Sequence, residues 1–261
     1  MTQLLDLVTG AKLYDLAQPY FVGMPHYPTH PPFLFSLTRA HGEYPGPEGH
    51  SSSAEAIGLG GHVGTHIDAL CHFSYRGKLY GGVDVSQAYS SGHGQLTADT
   101  IAPIVRRAVL LDIAGQQGVA ALAADFEVKP EHLEAAARGV EIRRGDVVLL
   151  RTGWANYFAE PRKFLAEGHG PGPSIDGARW LSGHGVLAAG SDTLAFEKIP
   201  VATMPVHVHL LVESGIHIME CLNLEEIAAA RVREFLFVAA PLKIRGATGA
   251  PMRPLALVDQ R

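Results

Sequence analysis

Cysteine is nearly absent. Cys71 and Cys221, the two in a chain of 261 residues, lie too far apart to make a disulfide framework and read as packed or site-lining thiols. Charge is scarce too: Asp, Glu, Lys and Arg make up 18% of the residues, against ~25% in typical soluble chains, which points to some surface covered by another subunit. With 21 Lys+Arg against 26 Asp+Glu and no basic block, nothing is available to neutralise a phosphate backbone, so nucleic acid is excluded as a partner. No apolar stretch approaches the ~18 to 20 residues that cross a bilayer, so no membrane partner is expected. The opening MTQLLDLVTG lacks a signal-peptide pattern, and the expected compartment is the cytoplasm. GxSxG is missing, and the serines at 51–53 have no strand-to-helix elbow around them, which argues against a serine hydrolase. Repeats, heptads and Ser/Gly linkers are also missing, so residues 1–261 are read as a single domain.

What the chain does have is histidine, 14 in all, and a sequence that alternates strand and helix signals. Apolar, β-branched runs predict strands at 108–113, 147–152, 186–189 and 235–242, and their continuity suits strands covered on both faces. Helices are predicted at 130–138, with Pro130 near the first helical position, at 174–182, with Ser174 as cap, and at 224–230 after Asn223. This alternation predicts an α/β domain with a mixed sheet. The first third is different, being rich in Gly and Pro (GMPHYPTHPP, EYPGPEGH), and irregular loops of that kind are where ligand contacts are commonly built.

The densest chemistry lies in GGHVGTHIDALCHF, which places His62, His66, Asp68 and His72 within eleven residues. Imidazole and carboxylate are ligand types of a catalytic divalent ion, and three protein ligands leave positions open for water or substrate. Fully extended, His62 and His66 would stand roughly 13 Å apart at ~3.3 Å per residue, too far to share an ion at ~2.1 Å. The backbone must turn between them, and Gly64 permits the turn. The expected local structure is a strand, a glycine turn and then a helix starting near Thr65. That helix would put Asp68 and His72 at i and i+4 on one face, one binding the ion and the other waiting beside it.

A second segment, PVHVHLLVESGIHIMECLNL, contains His207, His209, His217 and Glu220. Alternation of His207 and His209 with Val206, Val208 and Leu210 predicts a strand with both imidazoles on the face opposite the apolar residues. Glu220 lies in an apolar stretch and needs a buried partner: a divalent ion, a catalytic histidine or an arginine.

These residues resemble a known family, the cyclase-like metal-dependent hydrolases, which include bacterial kynurenine formamidases and isatin hydrolases. The likeness rests on HxGTHxD with its trailing histidine, on LYDLAQPYFVGMP near the start, on GSDTLAFE at 190–197 and on HVHLLVESGIHIMECLNLEE at 207–226. It implies an α/β fold with a barrel-like mixed sheet flanked by helices, a homo-oligomer (dimer or tetramer), and a small-molecule substrate. It also implies that His62, His66 and Asp68 hold a divalent metal, Mn or Zn, while His72 gives and takes protons. His207 and Glu220 match positions that bind a second zinc in formamidase-like members; isatin-hydrolase-like members use one manganese, and there the downstream pair contacts substrate or water, with a serine where Glu220 stands. One ion is expected and a second is possible. Leu70 and Cys71 depart from the family pattern and alter the wall of the site, not its ligands. Tyr27 sits where relatives carry an aromatic beside the substrate, and Gly64 and Thr65 are read with it as substrate contacts.

The chemistry this predicts is hydrolysis of an amide C–N bond in a cyclic or aryl amide, isatin first and N-formylkynurenine second. A metal-bound water near pKa ~7 would be the nucleophile, with His72 moving the proton. A protein that binds metal or a small molecule without turnover is the competing class, and it has no use for His72.

Overall fold

The computed structural model describes residues 8–259. Among them, nine strands form one mixed sheet in the order Lys12–Asp15, Leu255–Val258, Glu234–Ala239, Ile104–Asp112, Val147–Arg151, Ala188–Ser191, His217–Glu220, His66–Asp68 and Gly249–Pro251. The four strands from Ile104–Asp112 to His217–Glu220 run parallel, and each remaining neighbour pair is antiparallel. The sheet curls into half a barrel rather than closing, and helices flank it.

Why the central runs are continuously apolar is clear from where alternate residues go. Val109, Leu111, Val148, Leu150, Ala189 and Ile218 pack on one face, together with Leu133 of the helix Pro130–Ala137 and Ala178 and Leu181 of the helix Ile175–Gly183. Ala108, Leu110, Val147, Leu149, Ala188 and Met219 pack on the other, against Tyr14, Ile67, Ile227 and Phe237. Both faces are dry, so alternation of polar and apolar residues would leave polar groups buried without partners.

The predicted elements appear with shifted ends. Ile113 leaves the strand and opens a short helix, Ile113–Gln116, capped by the Asp112 carboxylate, which accepts from Gly115 N. Ser174 caps its helix by accepting from Gly177 N at 3.0 Å. The strand predicted at 186–189 lies at Ala188–Ser191, and the helix after Asn223 spans Glu225–Ala229.

Two local predictions are overturned. No helix starts at Thr65: His66–Asp68 is a strand, paired on one side with His217–Glu220 and on the other with Gly249–Pro251. Ladders on both edges satisfy the backbone that a helix would have satisfied internally. Nor do His207 and His209 alternate on a strand. Pro205–His207 opens a helix that continues through Val208–Ser214 with wide turns, and Val206, Leu210 and Leu211 go into the core. Proline at the first helical position favours that start.

Candidate active site

The turn at Gly64 is real, with φ +64°, and a Cβ there would stand 2.8 Å from Tyr20 Cζ and 2.9 Å from Met24 Cε. It delivers the chain into the strand His66–Asp68. A strand sends residues i and i+2 to the same side, so His66 and Asp68 face the site while Ile67 enters the core. Thr65 is fully buried and is not among the residues that line the cavity. Its hydroxyl donates to Cys221 O at 2.6 Å and accepts from Gln18 N at 2.8 Å, pinning the strand in place. Gly64 acts through the same backbone geometry.

His62 lies before the turn. Its Nδ1 is 2.8 Å from Asp68 Oδ1 and its Nε2 is 2.8 Å from Thr248 Oγ1. His72 reaches the same place from the other end of the strand, through a turn closed by His72 N donating to Ala69 O, and its ring stacks on His62 at 4.0 Å between centroids. Donor atoms of His62, Asp68 and His72 lie within 4.8 Å of one another, and so do those of Asp68, His207 and Glu220. Asp68 belongs to both groups.

His66 completes the cluster. Its Nδ1 faces Gly64 O at 2.8 Å, and because a carbonyl can only accept, that nitrogen carries the proton. Nε2 is left 3.5 Å from both Asp68 Oδ1 and Glu220 Oε2. His66 Nε2 and Asp68 Oδ2 are buried without a hydrogen-bond partner.

On the far side, His207 stands between two carboxylates, with Nδ1 2.6 Å from Glu197 Oε1 and Nε2 3.2 Å from Glu220 Oε1. Helical geometry sends His209 elsewhere, to Ser182 Oγ and Glu213 Oε2, so His207 alone of the two faces the site. Among the described residues no arginine pairs with Glu220; it also accepts from Phe196 N at 2.8 Å. His217 lies behind, with Nδ1 against the Asp68 backbone carbonyl.

The electrostatics follow from burial and these neighbours. Burial works against charge on Asp68, yet His72, His62 and His66 hold its carboxyl well below the usual range. Burial also opposes charge on His207, but Glu197 and Glu220 outweigh it and push the imidazole up to about 10. His66 is raised on the same grounds, with Asp68 and Glu220 overcoming burial. His72 goes the other way: burial and the neighbouring imidazoles hold it well below the ordinary histidine value, against the pull of Asp68. Burial pushes both thiols up, Cys71 to about 11, so neither is a ready nucleophile.

A cavity of about 120 Å³ opens onto this cluster. Tyr27, Phe73, Leu194, Ala195 and Met204 give it an aromatic and apolar wall, and His30, His62, His72, His207 and Glu220 give it a polar one. Sequence reasoning missed His30 and Glu197. His30 sits in a Gly/Pro-rich loop with its ring 5.1 Å from that of His62, and only the general tendency of such loops to build sites pointed there. Glu197 carried the same signal as Glu220, a carboxylate in an apolar run, and is buried beside His207.

The Cyclase family profile, described as "Putative cyclase", matches residues 14–198. The chain belongs to this family. Among its relatives, an isatin hydrolase of Roseibium aggregatum is 28% identical over 211 residues, covering 77% of this chain and 73% of the relative. A kynurenine formamidase of Bacillus thuringiensis is 26% identical over 242 residues, covering 92% and 94%. Among solved structures, one of a novel cyclase superposes with a TM-score of 0.86 at 25% identity, over 98% of this chain and 90% of the other. Isatin hydrolase A from Ralstonia solanacearum gives 0.76 at 27% identity, over 98% and 96%. The cyclase-family fold thus spans the whole sheet, including the strands that hold Asp68 and Glu220.

Proposed function

We propose that this cyclase-family chain is a metal-dependent hydrolase that cleaves the C–N bond of a small cyclic or aryl amide. The observation that carries the reading is the pair of buried, unpartnered atoms, His66 Nε2 and Asp68 Oδ2, in a cluster whose carboxylates Asp68, Glu197 and Glu220 have no lysine or arginine partner among the described residues. Such a cluster is costly without a cation, and nitrogen and oxygen donors suit Mn or Zn. His62, His66 and Asp68 would hold the first ion. Asp68, His207 and Glu220 would hold a second, where one binds.

A bound divalent ion supplies water of lowered pKa and polarises a carbonyl oxygen. The chain's own residues do the rest. His72 is held neutral at pH 7, so its free nitrogen can take the proton of the attacking water, keep it beside the cavity and release it to the departing nitrogen. Tyr27 and Phe73 flank a space suited to a flat ring, and Leu194, Ala195 and Met204 exclude water around it. The small cavity favours a compact substrate, with isatin first. N-formylkynurenine is the second reading, and the carboxylate of Glu220 beside His207 favours it, because that pair completes a second ligand group.

A homo-oligomer is supported by the hairpin Leu34–Arg39 with Ala54–Gly58. Among the described residues it pairs only within itself, and it exposes Leu34, Phe35, Leu37 and Ile57. A lone two-stranded ribbon is marginal in water.

The decisive experiment is a hydrolysis screen of isatin, N-formylkynurenine and simple lactams, using chelator-treated protein reloaded with Mn or Zn. Metal-dependent turnover of one of these is expected, and full activity after stripping would end the proposal.

A further inference from the structure

We infer that Glu197 is a positioning residue that fixes the His207 imidazole with its Nε2 lone pair turned toward Asp68 and Glu220. The inference rests on the metal-dependent reading above and concerns how the second ligand group is built.

Glu197 is 1% exposed, and among the described residues its carboxylate is hydrogen-bonded to one short stretch of chain. Oε1 accepts from His207 N at 3.0 Å and faces His207 Nδ1 at 2.6 Å, and Oε2 accepts from Val206 N at 3.4 Å. Backbone and ring are therefore held by one carboxylate. The backbone bonds set where the helix Pro205–His207 begins, and the ring bond sets how the imidazole is turned. An ionised carboxylate can only accept, so it demands a proton on Nδ1 and leaves Nε2 as the nitrogen that faces the site.

His66 gives the internal comparison. There the acceptor is Gly64 O at 2.8 Å from Nδ1, and again Nε2 is the nitrogen presented to Asp68 and Glu220. Two imidazoles thus reach the same pair of carboxylates from different elements, each with its tautomer dictated by an acceptor behind it. For His66 the acceptor is backbone and cannot be mutated. For His207 it is a side chain, which exposes the device to test.

Glu197→Gln is the informative change. The amide keeps one acceptor oxygen: in the Oε2 position it still serves Val206 N, and in the Oε1 position it serves His207 N and Nδ1 together, but as a neutral acceptor in place of a carboxylate. In the first orientation the amide nitrogen is a donor toward Nδ1 and lets the ring adopt the opposite tautomer, with Nε2 protonated and unable to bind a cation; in the second the charge that holds the Nδ1 proton is lost. The experiment titrates Zn into chelator-treated full-length protein by calorimetry, wild type beside Glu197→Gln. His207→Gln serves as the control that identifies which equivalent involves His207. A long-range imidazole ¹⁵N spectrum is then recorded on each Zn-loaded protein.

The expected result is two equivalents in wild type, with a protonated Nδ1 on His207 in the spectrum. In Glu197→Gln the second equivalent weakens by roughly 10- to 100-fold and the first does not change, while thermal unfolding stays close to wild type. Wild-type affinity for both equivalents in Glu197→Gln overturns the role of Glu197 and leaves the metal reading standing. A wild-type curve with no second equivalent overturns the ligand group itself. If Glu197→Gln does not fold, the wild-type spectrum decides, since an unprotonated Nδ1 on His207 contradicts the inference.

Discussion

His66 and Glu220 are register partners on antiparallel strands, directly opposite each other, with His66 Nε2 3.5 Å from Glu220 Oε2. Opposed residues in such a pair project to the same side of the sheet, so residues 154 positions apart in the chain meet in the buried cluster beside the cavity. The pairing sets the Glu220 carboxylate beside His66 and Asp68.

Glu220→Gln is therefore expected to keep the fold, because the amide oxygen can still accept from Phe196 N, and to lose a charge the cation needs. Metal analysis should show fewer ions per chain, or turnover should fall by at least about tenfold, in line with the loss of a ligand or its support. Unchanged stoichiometry together with unchanged rate would remove Glu220 from the site.

His72→Ala separates catalysis from binding. With His62, His66 and Asp68 intact, the first metal equivalent should remain while hydrolysis drops by roughly 10²- to 10⁴-fold, the usual contribution of a positioned acid-base group. Equal turnover in variant and wild type would deny His72 that role and favour a simple binding protein.

Metal-free protein should respond to pH through His207. Its folded value, about 10, lies above the ordinary 6.5, so its stabilising contribution is complete below about pH 6.5 and is lost as pH rises through 10. Thermal unfolding of chelator-treated protein should show that decline, and His207→Gln should flatten it. The same proton must leave when a cation binds, so zinc binding at pH 7 should release protons, seen as a dependence of the calorimetric heat on buffer ionisation enthalpy. A heat independent of buffer would contradict the ligand role of His207.

Gly249 leaves room for the His62 ring, since a Cβ there would lie 2.5 Å from His62 Cε1. Gly249→Ala should push that imidazole off Asp68 and Thr248 and weaken the first metal equivalent by about 10-fold or more. An unaltered metal titration in a folded Gly249→Ala protein would show that His62 can yield without loss.

Leu37→Asp with Ile57→Asp places charge on the exposed hairpin. Sedimentation velocity should find wild type as an oligomer and this variant as a smaller species. A monomeric wild type would remove the proposed self-association.

Much of this was written locally. The apolar runs around Val109, Val148 and Phe237 declare strands because a sheet dry on both faces tolerates nothing else. Pro130 and Ser174 mark helix starts by their own backbone chemistry. The HxGTHxD segment carried its ligand-type residues and the glycine that bends them together within a few residues. The conformation after the turn was not legible. Thr65 to His72 has the spacing of a helix face, and ladders from two distant segments override it. His207 and His209 have the spacing of a strand, and Pro205 with the Glu197 carboxylate makes a helix start instead.

The sequence by itself determined the donor types, the bend at Gly64 and the apolar strands, because these depend on side-chain chemistry and backbone sterics within a few residues. Tertiary structure alone decided that Asp68 is shared between two groups of donors, that His207 and not His209 faces them, and that Glu197 stands behind it. Those facts depend on strand register and helix phase, which long-range pairing sets and local spacing does not encode.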